Sequence, residues 1–112
     1  MGTDFLAEMG KRILERRKDL RLSQEELAEK AEISKQTVSR AENGLRELGA
    51  GNVAMMASAL GVSADYLLTG KYTAADVQLL NQKVSGLTPN QHRHLERFIN
   101  VYIEMCEDGT VK

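Results

Sequence analysis

Leu22-Ser23-Gln24-Glu25-Glu26-Leu27-Ala28-Glu29-Lys30-Ala31-Glu32-Ile33-Ser34-Lys35-Gln36-Thr37-Val38-Ser39-Arg40-Ala41-Glu42-Asn43-Gly44 is the stretch that decides the fold. It reads as two short capped helices joined by a tight turn. Ser23-x-x-Glu26 is a capping box, in which a hydroxyl and a carboxylate satisfy two orphan amides at a helix start. Leu27, Ala28 and Ala31 then fall on one inward face. Ser34 caps the second helix. Its inward positions, Thr37, Val38 and Ala41, cluster within about 100° of arc at 3.6 residues per turn. Gly44 stands where a left-handed C-terminal cap is wanted. Away from Val38 and Ala41, the second helix carries Lys35, Gln36, Ser39 and Arg40. A short helix with one apolar face and one face of hydrogen-bonding side chains suits the major groove of DNA.

Working outward, Leu6, Met9, Ile13 and Leu20 recur at helical spacing and predict a first helix over about Asp4 to Lys18. After the quoted stretch, Val53, Met56, Ala57 and Leu60 mark a helix from about Asn52 that ends at Gly61. Ser63 caps a fifth helix that brings in Tyr66 and Leu67 and stops at Gly70. The pattern then changes. Thr73-x-x-Asp76 opens a sixth helix with Val77, Leu80 and Val84 on one side. Thr88-Pro89-x-Gln91 is a cap, a proline at the first helical position and a box partner. The last helix should run to about Met105. Its stripe of Leu95, Phe98, Ile99, Tyr102 and Cys106 has no obvious partner in a closed five-helix domain. The expectation is an all-α chain: a five-helix domain over 1–70, then two C-terminal helices over 71–112.

Composition narrows the classes. The 112 residues carry 15 Lys and Arg against 16 Asp and Glu. Residues 1–70 hold 10 basic and 11 acidic side chains, so the domain lacks the overall basic charge typical of a nucleic-acid binder. The charge is segregated, however. Lys11 to Arg21 contains six basic residues against Glu15 and Asp19, and a local positive face can meet phosphates. No apolar run approaches the 18 or so residues of a membrane span, and the start has no signal-peptide layout. The lone Cys106 suits a reduced, cytoplasmic compartment. Cys106 reads as a small buried apolar residue. His92 and His94 are two residues apart on a helix, so they point to different sides and read as exposed, not as ligands. No catalytic constellation, metal set or cofactor motif stands out.

Residues from about Phe5 to Gly70 resemble the Cro/repressor-type, or XRE-type, helix-turn-helix family, which includes the lambdoid phage repressors. The resemblance rests on Leu22-Ser23-Gln24 opening the second helix, Ala28, Ile33 in the turn and Val38. It continues through Glu42-Asn43-Gly44, Ala59-Leu60-Gly61-Val62-Ser63 and Asp65-Tyr66-Leu67-Leu68. It implies a non-enzymatic regulator of transcription. Lys35, Gln36, Ser39 and Arg40 map to base-reading positions. Gln24 and Asn43 map to phosphate contacts, and Arg17 with Glu42 to an ion pair between the first and third helices. Basic side chains that meet phosphates in addition would be Arg12, Arg16 and Arg46. Two departures stand out. Glu32 occupies a turn position usually held by Gly, and the loop 45–51 carries Arg46 as its only base. The chain is also too short to hold the self-cleaving domain of some family repressors.

The sequence therefore favours a repressor that binds double-stranded DNA as a homodimer on a two-fold operator. Leu95, Phe98, Ile99 and Tyr102 would be its dimer contact. Two alternatives remain at this level: an antitoxin whose C-terminal helices mask a toxin or other protein antagonist, and a protein-interaction module without DNA binding.

Overall fold

A computed structural model describes residues 3–45 and 48–112. Those residues form seven helices: α1 (Thr3–Asp19), α2 (Gln24–Ala31), α3 (Lys35–Glu42), α4 (Ala50–Leu60), α5 (Ala64–Thr69), α6 (Ala74–Ser85) and α7 (Pro89–Glu107). No strand occurs among the described residues. The fold is all-α, as the caps and spacing predict. The chain divides into two compact units, Met1–Leu79 and Leu80–Lys112.

In the first unit, α1 packs against α3, α4 and α5, while α2 packs against α3 and α4. The core is assembled from the apolar stripes read in the sequence: Met9 and Ile13 of α1, Leu27 and Ala28 of α2, Val38 and Ala41 of α3. Val53, Met56, Ala57 and Leu60 of α4, Leu67 of α5 and, between helices, Leu48 and Val62 complete it. Leu6 and Leu20 pack at its edge. α4 starts two residues before the expected Asn52, because Gly49 in an extended conformation serves as its cap.

The helix ends follow one rule. Each of α1, α2, α3 and α4 closes with a paired hydrogen bond that turns the chain back through a left-handed residue. In α2, Glu32 N–H donates to Glu29 O and Ile33 N–H to Ala28 O. Gly44 and Gly61 fill the left-handed position after α3 and α4, at φ 66° and 67°. Arg21 and Glu32 fill it after α1 and α2, at φ 58° and 57°, where a Cβ is strained. Gly44 is required twice over, since a Cβ there would also lie 3.0 Å from Ala7 Cα.

One helix-interior glycine has a purely tertiary reason. A Cβ on Gly10 would collide with the carbonyl oxygen of Ala41 and sit 2.7 Å from that of Glu42. The backbones of α1 and α3 therefore touch at this point, and hydrogen is the only side chain that fits between them.

The first unit continues past Gly70 through another contact between distant residues. Asp76, at 8% exposure, accepts from the Ser63 amide at 2.6 Å and the Ser63 hydroxyl at 2.7 Å. It also accepts from the Thr73 amide at 2.8 Å and the Thr73 hydroxyl at 3.1 Å. One carboxylate thus ties the cap of α5 to the start of α6. The rings of Tyr66 and Tyr72 stack beside this link with centroids 4.3 Å apart. The first compact unit runs on to Leu79, inside α6.

In the second unit, Thr88 and Gln91 form the capping box at the start of α7, with Pro89 at its first position. No residue of α7 is buried. Phe98 is 74% exposed, with Ile99 and Tyr102 also exposed and Leu95 half-buried. Cys106 is exposed as well, which corrects the expectation of a buried thiol.

Two stability effects of opposite sign follow. Gly10→Ala should destabilise the fold by at least about 1–3 kcal/mol through overpacking against unyielding backbone. Glu32→Gly should raise stability by on the order of 1 kcal/mol by relieving the left-handed strain. Thermal melting by circular dichroism reads both. A third effect concerns acid. Burial alone would push the Asp76 carboxyl up. The amides and hydroxyls of Thr73 and Ser63 outweigh it and hold it below the ordinary carboxylate range. Stabilisation from a depressed carboxyl is present above the unfolded value, about 3.9, and is lost as pH falls through the folded value. The melting-temperature gap between the native chain and Asp76→Asn should therefore be full near neutrality and shrink below about pH 4.

Candidate nucleic-acid interface

α3 is held in place by charge as well as by packing. Arg17 Nε donates to Glu42 Oε2 at 2.6 Å and Nη2 donates to Oε1 at 3.1 Å, a forked pair between α1 and the end of α3. The third guanidinium nitrogen, Nη1, donates to Leu22 O at 2.8 Å, just after α1 ends. The side chains are 13% and 4% exposed, so water screens the pair little. The hydrogen bonds to Glu42 favour the charged guanidinium, raising the Arg17 pKa further above its ordinary value. Gln24 joins the cluster, its Nε2 donating to Glu42 Oε1 at 3.0 Å. One buried carboxylate therefore binds α1, the first residue of α2 and the last residue of α3 together.

On this mount α3 turns Val38 and Ala41 into the core and leaves a polar face outside. Lys35, Gln36 and Arg40 are exposed and Ser39 is half-buried. Among the described residues no hydrogen bond ties down the side chains of Lys35, Gln36 or Arg40. Ser34 caps the helix by accepting from the Thr37 amide at 3.1 Å, and its hydroxyl pairs with that of Thr37 at 2.8 Å. Asn43, at the far end, is exposed and turns Nδ2 back onto Ser39 O at 2.8 Å. The four side chains face outward together. Lys and Arg match guanine O6 and N7, and Gln matches adenine N6 and N7.

Two of the arginines expected at phosphates, Arg12 and Arg16, make contacts within the fold. Arg12 Nη1 donates to Leu67 O at 2.8 Å, and its guanidinium lies against Gly70. Arg16 Nε donates to Leu60 O at 2.9 Å. Each arginine satisfies an orphan carbonyl at a helix C-terminus, Arg16 for α4 and Arg12 for α5. Both lie on the side of α1 that faces α4 and α5, roughly opposite Gly10, which meets α3. Arg46 lies outside the described residues. His92 and His94 are exposed, and no group of three potential ligands gathers among the described residues. None of the described helices is long and apolar enough to cross a membrane.

The helix-turn-helix family model matches residues 13–67, from the middle of α1 into α5. The restriction-modification controller protein C.AhdI from Aeromonas hydrophila is 32% identical with a TM-score of 0.54, over 55% of this chain and 94% of its own. The chain belongs to the Cro/repressor-type helix-turn-helix family. These are DNA-binding regulators of transcription, not an enzyme family. The P22 c2 repressor, solved with a synthetic operator, is 36% identical, with a TM-score of 0.55 over 56% of this chain and 96% of its own. A chain of the SinR–SinI protein complex is 26% identical, with a TM-score of 0.54 over 86% of this chain and 98% of its own. None of the curated proteins matches this chain.

The family's ion pair sets a clear test. Arg17→Ala strands the 4%-exposed Glu42 carboxylate and should cost about 3–5 kcal/mol. Lys18→Ala, at an exposed position on the same turn, should cost close to nothing. Denaturant melts of the two variants measure the gap, and overlapping curves would mean that the pair does not hold α3. Arg16→Ala is no neutral control here, because it also removes the α4 cap.

Proposed function

We propose that this regulator represses transcription by binding a two-fold operator as a homodimer, in the cytoplasm. Lys35, Gln36, Ser39 and Arg40 read base edges, while Gln24, Asn43 and Arg46 grip the backbone on either side. The observation that carries this reading is the outward face of α3. Lys35, Gln36 and Arg40 stand exposed there, with Ser39 half-buried beside them, on a helix held by Arg17 and Glu42.

The second half of the proposal concerns residues 80–112, which expose Phe98, Ile99 and Tyr102 along one helix. A second copy would cover them, and its symmetry would present two α3 helices about 34 Å apart to successive major grooves. A different protein is the alternative occupant, either an antagonist or a toxin. The similarity to a chain from the SinR–SinI complex, over 86% of this sequence, is what favours it.

Selection of bound duplexes from a random pool, at fixed salt, should enrich an inverted repeat. Arg40→Ala should then lose about 1–3 kcal/mol on the enriched site and little on random DNA. Phe98→Asp, at a 74%-exposed position, should leave the helical signal intact while reducing both dimerisation in sedimentation and operator affinity. A native chain that sediments as a monomer at micromolar concentration would transfer the α7 face to a different protein. Equal loss on both DNAs for Arg40→Ala would remove it from base reading.

A further inference from the structure

We infer that Glu42 is a positioning residue for the DNA backbone: it holds one N–H of Gln24 so that the second N–H is the one offered to a phosphate. The inference rests on the proposed reading of this face as a DNA surface and assigns a role that the ion pair alone does not require.

The geometry is specific. Gln24 opens α2, whose first amides have no intrahelical acceptor. Its side chain is half-buried and its nitrogen faces Glu42 Oε1 at 3.0 Å. The orientation of the amide is fixed by chemistry, because an ionised carboxylate only accepts and the amide oxygen cannot donate. The amide nitrogen carries two hydrogens. One is committed to Glu42, and among the described residues the other has no partner. A phosphate oxygen needs a donor, and this free N–H is the donor that Gln24 has left.

Glu42 can do this beside a polyanion because its charge is already answered. Arg17 donates to both of its oxygens, and the side chain is 4% exposed. A carboxylate in this state repels a phosphate little and still fixes a glutamine amide. An unheld glutamine would lose rotamer freedom on meeting DNA, and holding it in advance removes part of that cost. Arg17, Glu42 and Gln24 thus form a chain from the core of the fold to the surface that meets the backbone.

The test uses the full chain, labelled with 15N, and a short duplex of mixed sequence. The Gln24 side-chain amide is assigned as the pair of signals lost in Gln24→Ala. On titration with the duplex, the proton bonded to Glu42 should stay in place and its geminal partner should shift. A binding isotherm for Gln24→Ala, Glu42→Gln and the double variant supplies a second readout. Gln24→Ala should weaken binding to the duplex by about threefold to tenfold. Glu42→Gln should weaken it too, and the double variant should bind no worse than Gln24→Ala. A merely structural Glu42 would lower the melting temperature without this coupling in affinity. Additive losses, no loss for Glu42→Gln, or a duplex that shifts neither proton or breaks the bond to Glu42 would each overturn the inference. If Glu42→Gln does not fold, the proton titration on the native chain decides alone. A native chain that binds no duplex at all would sink the DNA-binding proposal itself, an outcome distinct from binding with a silent Gln24.

Discussion

The forked pair between Arg17 and Glu42 is the interaction on which the rest of the first unit depends. It sits where three helices meet, and its worth is not its own Coulomb energy. Burying two charges costs several kcal/mol of hydration, which their attraction only roughly returns. What the pair contributes is registration. A forked guanidinium accepts a carboxylate in one plane and at one distance, so α3 cannot slide along α1 without breaking it. Apolar packing of Val38 and Ala41 alone would tolerate small slips that the forked pair does not.

Gly10 works with this pair at close range. The missing Cβ lets α1 and α3 approach until backbone meets backbone, and the ion pair two turns further on fixes where along the helices they do so. The helix-interior glycine costs about 1 kcal/mol of helix propensity. The helix ends complete the frame, since each carbonyl row is closed by a left-handed residue or by an arginine from α1.

Most of this architecture is legible in the sequence because its signals are local. The Ser23–Glu26 and Thr88–Gln91 boxes, the Ser34 and Ser63 caps and the left-handed Gly44 and Gly61 lie within a few residues of what they govern. Glu32 is legible through a departure, since its strained position is one where glycine is usual. The rest is not legible because its cause lies far along the chain. Gly10 looks like an unremarkable residue in an amphipathic pattern, and its reason is a carbonyl 31 residues away. Asp76 reads as the box partner of Thr73, and nothing nearby announces its bonds to Ser63. Arg12 and Arg16 look like phosphate ligands because a basic residue on a helix is equally suited to a phosphate or a carbonyl. Only the fold brings Leu67 and Leu60 to them. The face of α3 is the intermediate case. Periodicity places Lys35, Gln36, Ser39 and Arg40 outside, but the amide of Gln24 leaning on Glu42 required three helices to be assembled.

The shared carboxylate of Asp76 has a consequence for how such a protein can be recombined. Because this one group caps α5 and opens α6, the bonds that finish α5 reach past Gly70. A chimera that kept residues up to Gly70 and attached a foreign partner segment there would leave the Ser63 hydroxyl and amide without their acceptor. It would also discard Tyr72 from its stack on Tyr66. A join placed beyond Leu79 preserves both. The natural seam for exchanging the C-terminal segment thus runs through the middle of a helix, where a continuous α-helical backbone can carry unrelated side chains on either side of the splice.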